Sequence, residues 1–289
     1  RSAAERQPVI IDPEVLPGET YPADTTGAAA LHIQGITGKG VTVAVIDSGM
    51  PALNANWQRL DATTLRYQTT VQGRPWFMVY KDLVSQNRVA QSSDPYGHGT
   101  HVLATIGDGR RAPSGSAVGI APDANLVMVR ALDETGEAPY SRVIAAIDWV
   151  IANKATYNIK VLNLSLQAPM HGPYWHDPLA QATMAAWAEG ITVVAAAGNH
   201  GPAPATITVP GNVPYVITVG AIKPGVYTAS GNDELAYYSS AGPTESKFVK
   251  PDVVIAGSRV VAPLPLASAL EPQAGKLTTK AKLDFSNVK

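Results

Sequence analysis

Five short apolar segments, separated by longer stretches of mixed polarity, constrain the fold of this 289-residue chain more than any other feature. Each segment is rich in β-branched residues and nearly continuously apolar, which is typical of parallel strands buried on both faces. The predicted strands are Val41–Ile46, Leu126–Arg130, Val161–Leu164, Thr192–Ala196 and Val216–Gly220.

Two helices are predicted between these strands. Ser141 is expected to cap a helix that runs to about Asn153, because apolar residues recur there at the helical spacing. Asp177 followed by Pro178 is typical of a capping residue with proline in the first turn, and this helix is expected to reach about Trp187. The alternation predicts an α/β fold with a three-layer, doubly wound, mostly parallel sheet.

The two ends of the chain depart from this alternation. Residues 1–26 are rich in Pro, Glu and Thr without periodicity, and we expect an extended N-terminal arm. Residues 27–289 are expected to form one domain, in which 263–289 form a loop or a hairpin because lysines replace the apolar pattern.

Composition excludes several classes of function. A net charge of −1 gives no reason to expect nucleic acid or an anionic membrane as a partner. The absence of cysteine excludes disulfides, thiol catalysis and cysteine metal sites. No apolar run reaches the roughly 18 residues that a membrane-spanning helix needs.

Two motifs offer candidate catalytic groups. Asp47 ends the first predicted strand and precedes Ser48 and Gly49, at the strand end where open α/β sheets hold their sites. A turn or capping role is the alternative for this aspartate. His98 lies between two glycines at the start of a predicted buried helix, a position that suits a general base near neutral pH.

The spacing of His98 and His101 also raises the possibility of a metal pair. The chain has no His-Glu-x-x-His motif and no third ligand nearby, so no metal site is predicted and His101 is expected to be an interior histidine. Asn199 follows the fourth predicted strand, where its amide could donate to a developing oxyanion, or it could be a turn residue after Gly198.

Taken together, these residues and their order resemble the subtilisin-like serine proteases, or subtilases, especially bacterial members of the alkaline-serine-protease type. The similarity extends over nearly the whole chain. The segments that carry it are 38–49, 98–102, 119–122, 163–166, 196–199, 210–212, 239–244 and 250–254.

The resemblance implies a serine endopeptidase with a Ser-His-Asp triad. Asp47 would hold the tautomer of His98, His98 would transfer the proton of the serine, and Asn199 would donate to the oxyanion. The substrate peptide would pair with one segment of the chain and face a second. The substrate-binding residues implied in this way are Leu164, Ser165 and Leu166, Gly136, Glu137 and Ala138, and, in the first specificity pocket, Ala196, Ala197 and Gly198.

The chain departs from the family pattern in three places. Gln167 stands where a glycine usually follows Ser165-Leu166, and it is expected either to narrow the mouth of the pocket or to restrict how the peptide lies. Glu137-Ala138-Pro139 replaces a glycine-rich strand, so specificity further along the peptide is left open. Residues 255–258 replace the usual Ala-Pro-Gly.

The nucleophile is the missing member of this set. No Gly-Thr-Ser tripeptide occurs in the 289 residues, so we expect the fold to lack its C-terminal nucleophile-bearing part and the serine to lie beyond Lys289. A C-terminal fragment carrying that serine is then the expected partner, and this chain alone is expected to be inactive. The alternative is a catalytically inactive subtilase-like scaffold that binds peptides.

Other expectations follow from the resemblance or from missing motifs. The chemistry needs no cofactor, and structural calcium is implied by the family alone. Many relatives are exported and a first residue other than Met agrees with processing, so a secreted protein is expected, although cytoplasmic subtilases exist. A nucleotide-binding α/β protein fits the fold but lacks both Gly-rich phosphate motifs.

Overall fold

The computed structural model describes residues 20–52, 57–71, 74–85, 87–225, 231–265 and 267–271. The helices are α1 (Pro22–Thr26), α2 (Ala28–Ile33), α3 (His98–Gly107), α4 (Tyr140–Ala152), α5 (Lys154–Tyr157) and α6 (Pro178–Ala188), with a short 3₁₀ helix at Tyr174–His176. The strands are β1 (Thr42–Asp47), β2 (Gln58–Arg59), β3 (Thr64–Val71), β4 (Arg74–Asp82), β5 (Asn125–Arg130), β6 (Ile159–Leu164), β7 (Thr192–Ala196), β8 (Ile217–Lys223), β9 (Glu234–Leu235) and β10 (Val253–Ala256).

All ten strands belong to one sheet, in the order β10-β8-β7-β6-β1-β5-β4-β3-β2, with β9 paired to β8. The strands from β10 to β4 along this order are parallel, and β2, β3 and β9 are antiparallel to their neighbours. The predicted mostly parallel sheet is confirmed. Because β1 lies between β6 and β5, its carboxyl end is at the middle of the sheet edge.

Two apolar cores on opposite faces of the sheet make the three predicted layers. On one face, α4 and α6 cover the strands, with Ile147, Leu162 and Val193 in the core. On the other, which we call the α3 face, Val45 and Met128 pack against Leu103 of α3. Strand β1 is buried at every position because it contributes to both cores.

All five predicted strands are present; β7 has the predicted ends, and the ends of the other four differ from the prediction by at most three residues. The hairpin of β3 and β4 had no strand prediction, and neither did β2, β9 and β10. Polar and charged residues such as Arg66, Gln68 and Lys81 interrupt the apolar pattern of the hairpin, as expected where a sheet edge is partly exposed to water.

Both predicted helices are present, but only one of the two predicted capping residues caps its helix. Helix α6 begins at Pro178, and the Asp177 carboxylate accepts hydrogen bonds from the backbone N–H groups of Leu179 and Ala180, both at 2.9 Å. The prediction that Ser141 caps α4 is wrong. That helix begins one residue earlier, at Tyr140, after Pro139, which offers no side-chain cap.

The structure describes only part of each predicted terminal segment. Of the predicted extended arm, residues 1–19 lie outside the described residues, and Pro22–Thr26 form the helix α1 instead of an extended chain. In the predicted loop or hairpin at 263–289, the described residues 263–265 and 267–270 form neither helix nor strand. Within the described ranges, no helix is long and apolar enough to cross a membrane.

The Asp177 cap generates a stability prediction. Replacing Asp177 with Ala removes two acceptor contacts to the first turn of α6, and a third to the Tyr140 hydroxyl at 3.2 Å. We expect the free energy of unfolding to fall by about 1 kcal/mol, the usual cost of losing an N-cap. Urea denaturation measures this change. Asp177→Asn keeps a capping oxygen and should lose much less; an equal loss in both variants would contradict the capping role.

Candidate active site

Asp47 and His98 meet at the carboxyl edge of the sheet. Asp47 is the last residue of β1 and His98 the first residue of α3, so two buried elements hold the pair from opposite sides. His98 Nδ1 lies 2.8 Å from Asp47 Oδ1 and 3.0 Å from Oδ2. Since a carboxylate can only accept, Nδ1 carries the proton and Nε2 is left with its lone pair in the neutral imidazole.

The Asp47 carboxylate is fully buried and has two hydrogen-bond donors. Oδ1 accepts from the backbone N–H of Ser48 at 2.7 Å as well as from His98. A buried carboxylate is costly without such partners, so these donors hold both its charge and its orientation. The His98 side chain, in contrast, is 38% exposed.

Opposing effects act on the pKa of His98. Burial lowers the pKa, but the charge of the Asp47 carboxylate and its hydrogen bond raise it, and Asp94 raises it further. The pKa therefore lies above its ordinary value of 6.5. No hydrogen bond joins Nε2 to any residue that the structure describes, so this nitrogen can accept a proton from another group.

His101 has a different environment one turn along α3. Its Nε2 lies 3.1 Å from the carbonyl oxygen of Val260. Burial lowers the pKa of His101, and the neighbouring His98 lowers it further. The hydrogen bond to Val260 opposes this lowering. This is the environment of a neutral interior histidine, in agreement with the sequence prediction.

Asp94 is a buried residue of this region that sequence reasoning did not single out. Its carboxylate accepts from the Ser48 hydroxyl at 2.8 Å and from the N–H of Gly97 at 2.8 Å and of Thr100 at 2.7 Å. The available signal was an aspartate four residues before the histidine, at the entry to a predicted helix.

Two glycines let the loop after β1 and the start of α3 touch. A Cβ atom built on Gly99 would collide with the backbone of Gly49, and one on Gly49 would collide with the carbonyl of Ser93. Gly49 also has a φ of +132°, which L-residues rarely adopt. Only glycine permits this approach, which brings the two backbones close enough for the Asp47 and His98 side chains to share a hydrogen bond.

Asn199 follows β7, which is separated from β1 by β6 alone. Two strand spacings put the ends of β1 and β7 roughly 10 Å apart. The Asn199 backbone N–H donates to Gln167 Oε1 at 2.8 Å, while its side chain is exposed and makes no hydrogen bond to the described residues. Gln167, the residue that departs from the family pattern, therefore connects the ends of β6 and β7.

The predicted peptide-binding residues lie along the same edge. Leu164 ends β6 and is paired in register with Ala195 of β7, so residues 164–166 and 196–198 leave the sheet side by side. Gly136, Glu137 and Ala138 form a loop rather than a strand, closed by a hydrogen bond from the Asp133 N–H to the Glu137 carbonyl at 2.9 Å. Gly136 packs on the ring of Tyr96, two residues before His98.

The described residues offer no obvious metal centre. In the part of the chain that the structure describes, no three His, Cys, Asp or Glu side chains converge where they could hold a metal ion. Structural calcium, which is possible by family resemblance alone, stays a prediction.

Comparison with known sequences identifies the family of this chain. Residues 38–287 match the subtilase family, peptidase S8. The chain belongs to the subtilase family. It is 34% identical over 233 residues to the serine protease AprX of Bacillus subtilis (strain 168), covering 79% of this chain and 48% of AprX. It is 36% identical over 234 residues to subtilisin E of the same organism, covering 79% of this chain and 51% of subtilisin E.

This subtilase chain thus spans about half the length of the curated relatives it matches. Among solved structures, a cold-adapted subtilisin-like serine proteinase aligns with a TM-score of 0.53 at 30% identity, covering 78% of this chain and 66% of that chain. Sphericase aligns with a TM-score of 0.58 at 23% identity, covering 80% and 74%, which supports the fold. The predicted family and fold are confirmed.

The ionisation of His98 is directly measurable. Because Asp47 stabilises the imidazolium, we expect the NMR titration midpoint of His98 to lie above 6.5 and to fall in Asp47→Asn. The raised pKa means that this charge interaction stabilises the fold fully below the unfolded pKa and is lost as pH rises through the folded pKa. His171→Ala, at an exposed site, removes the resonance of another histidine and should leave the His98 midpoint unchanged. A midpoint unchanged by Asp47→Asn would contradict the assigned electrostatics.

Proposed function

We propose that this chain carries the acid and base of a serine endopeptidase. The observation that carries the proposal is the Asp47–His98 contact, with 2.8 and 3.0 Å between Nδ1 and the two carboxylate oxygens. A buried carboxylate that fixes the imidazole tautomer leaves Nε2 as the base for a serine hydroxyl. Membership of the subtilase family supports the same chemistry.

In the proposed mechanism, His98 Nε2 takes the proton of the serine hydroxyl as its oxygen attacks the scissile carbonyl. Asp47 stabilises the imidazolium that forms, and His98 then returns the proton to the leaving amine. His98 must be neutral to act as the base. Because its pKa is raised, the acidic limb of the pH–activity profile should lie at a higher pH than for a histidine of ordinary pKa.

The nucleophilic serine is proposed to come from a polypeptide segment outside these 289 residues. Two observations support this. The sequence has no Gly-Thr-Ser tripeptide, and no described residue hydrogen bonds to His98 Nε2. That segment is either a continuation of the same chain or a separate C-terminal fragment.

The exposed part of the α3 face supports such a partner. Helix α3 packs over β1 and β5, but apolar side chains on the same face of β8 and β10 are open to water. Ile217 is 42%, Val253 51% and Ile255 43% exposed. These side chains lie on the same face of the sheet as Val45. The register shows this when it is followed from β1 through β6, β7 and β8 to β10. An apolar helix that follows the serine would cover this row.

The substrate is proposed to be an extended polypeptide lying along residues 164–166, opposite the loop at 136–138. Strand addition of this kind recognises the peptide main chain, and adjacent pockets read its side chains. Ala196, Ala197 and Gly198 would form the wall of the first specificity pocket, with Gln167 at its mouth. The Gln167–Asn199 contact supports a narrowed entrance. No nucleic acid or membrane partner is proposed.

Localisation is proposed from the relatives. One relative of 31% identity is named a minor extracellular protease of Bacillus subtilis. A chain without cysteine is compatible with oxidising and reducing compartments alike, so its composition agrees with an extracytoplasmic site of action. The proposal is therefore a processed, exported peptidase.

Labelling of the complete protein tests the triad. A fluorophosphonate should attach to one serine, located by mass spectrometry beyond Lys289. Asp47→Asn and His98→Ala should each slow labelling, and they should lower kcat about 10⁴-fold and about 10⁶-fold respectively, the losses found in serine proteases altered at the same groups. His171→Ala, at an exposed histidine, should label normally. Absence of any labelled serine in the complete protein would favour the inactive peptide-binding scaffold instead.

Asn199 supplies the second test of mechanism. Its side-chain amide is free to donate to an oxyanion, so Asn199→Ala should lower kcat about 10²–10³-fold with little change in KM; this magnitude was measured in a subtilisin. Asn199→Asp replaces a donor with a charged acceptor and should be no better. A change confined to KM would contradict the oxyanion role and indicate substrate binding alone.

A further inference from the structure

A second buried carboxylate stands behind the Asp47–His98 pair. Asp94 is 5% exposed and accepts four hydrogen bonds. The donors are the Ser48 hydroxyl at 2.8 Å, the Gly97 N–H at 2.8 Å, the Thr100 N–H at 2.7 Å and the Thr100 hydroxyl at 2.5 Å. Three of these donors belong to the residues on either side of His98, and the fourth is the neighbour of Asp47.

Ser48 makes the connection between the two halves of the pair. Its hydroxyl donates to Asp94 and accepts from the N–H of Gly99 at 2.8 Å, while its own N–H donates to Asp47 Oδ1 at 2.7 Å. A continuous path of hydrogen bonds therefore runs from the Asp47 carboxylate through Ser48 to the first turn of α3. Every polar atom along this path is buried, where hydrogen bonds strengthen one another.

The position of His98 in α3 makes the charge of Asp94 important. His98 is the first residue of a ten-residue helix whose N-cap, Gly97, has no capping side chain. The positive end of the helix dipole disfavours an imidazolium at this position. Asp94 occupies the capping role from outside the helix, and its negative charge opposes the dipole where His98 must become charged during the proposed reaction.

We propose that Asp94 is a positioning residue of this site: through Ser48 it locks the start of α3 to the end of β1, and its charge stabilises protonated His98. The proposal deepens the proposed function, because it rests on His98 acting as the base. The titratable groups that act on His98 are Asp47 from β1, Asp94 from the loop before α3 and His101 from α3 itself, and the Tyr96 ring lies 6.5 Å away.

Three variants of the complete protein separate position from charge. Asp94→Asn removes the charge and replaces one acceptor oxygen with a donor, so we expect the NMR midpoint of His98 to fall and kcat/KM to drop about 10–10²-fold. Ser48→Ala breaks the connection but leaves the charge of Asp94, so the midpoint should fall less than in Asp94→Asn while kcat falls by a similar factor. Thr100→Val removes one donor to Asp94 and should lower stability without moving the midpoint.

The low-field resonance of the His98 Nδ1 proton gives a readout that needs no activity. It should be sharp in the parent protein and weakened in Ser48→Ala and Asp94→Asn, if the connection holds Asp47 against His98. In the double variant, the loss of kcat/KM should be smaller than the product of the single losses, because both remove the same connection. Asp61→Asn, at an exposed aspartate, is the matched control for a lost carboxylate.

The outcomes are distinct. An Asp94→Asn midpoint equal to that of the parent, or a midpoint shift of the same size in Asp61→Asn, would overturn the proposed charge effect. Unchanged kcat and an unchanged Nδ1 resonance in Ser48→Ala would overturn the connection, and this variant decides if Asp94→Asn does not fold. If the complete protein has no peptidase activity, the proposed function fails, while the midpoint and the Nδ1 resonance still test Asp94.

Discussion

The hydrogen bond between Asp47 and His98 ties together the two elements on which the site depends. Asp47 is the last residue of the central strand β1, and His98 is the first residue of α3, the helix that packs on one face of β1. A fully buried carboxylate would be strongly destabilising without donors, so the surrounding backbone must supply them. The backbone N–H of Ser48 is one donor to Asp47, and the close approach of Gly49 and Gly99 lets His98 be the other.

The same sheet edge carries a buried ion pair. Arg130 of β5 is in register with Asp47 on one side and with Asp82 of β4 on the other, and its guanidinium lies 3.1 Å from the Asp82 carboxylate. Asp82 also accepts from the N–H groups of Val84 and Ser85. The carboxyl ends of three adjacent strands thus hold Asp47, Arg130 and Asp82, and the Arg130–Asp82 contact compensates the burial of those two charges.

The apolar surface of the sheet is divided unevenly. Around β1 and β5 both faces are covered, and side chains there are inaccessible to water. Toward β8 and β10, Ile217, Val253 and Ile255 on the α3 face are about half exposed, and Val254 on the opposite face of β10 is 46% exposed as well. A parallel sheet is stable when both of its faces are packed. The proposal of a serine-bearing segment accounts for this asymmetry and for the missing nucleophile together.

Sequence reasoning succeeded where a local pattern has one dominant physical cause. Continuous apolar runs identified the five central strands, and Asp177 with Pro178 identified the start of α6, because burial and capping act over a few residues. Reasoning failed at Ser141, where Pro139 and tertiary packing start the helix earlier. It also missed the β3–β4 hairpin, whose alternating polar residues reflect an exposed sheet edge, and the helix in the predicted arm.

Local residue patterns were sufficient for the α/β class, the family and the candidates Asp47, His98 and Asn199, because each lies next to a strand or helix signal that is readable in isolation. Contacts between distant segments required the folded chain. The role of Asp94, the bridge from Gln167 to Asn199 and the exposed row on the α3 face depend on distances between residues 32 to 46 positions apart, or on strand order. Hydrogen bonds and burial act through space, so the order of residues along the chain leaves such contacts undetermined until packing brings the segments together.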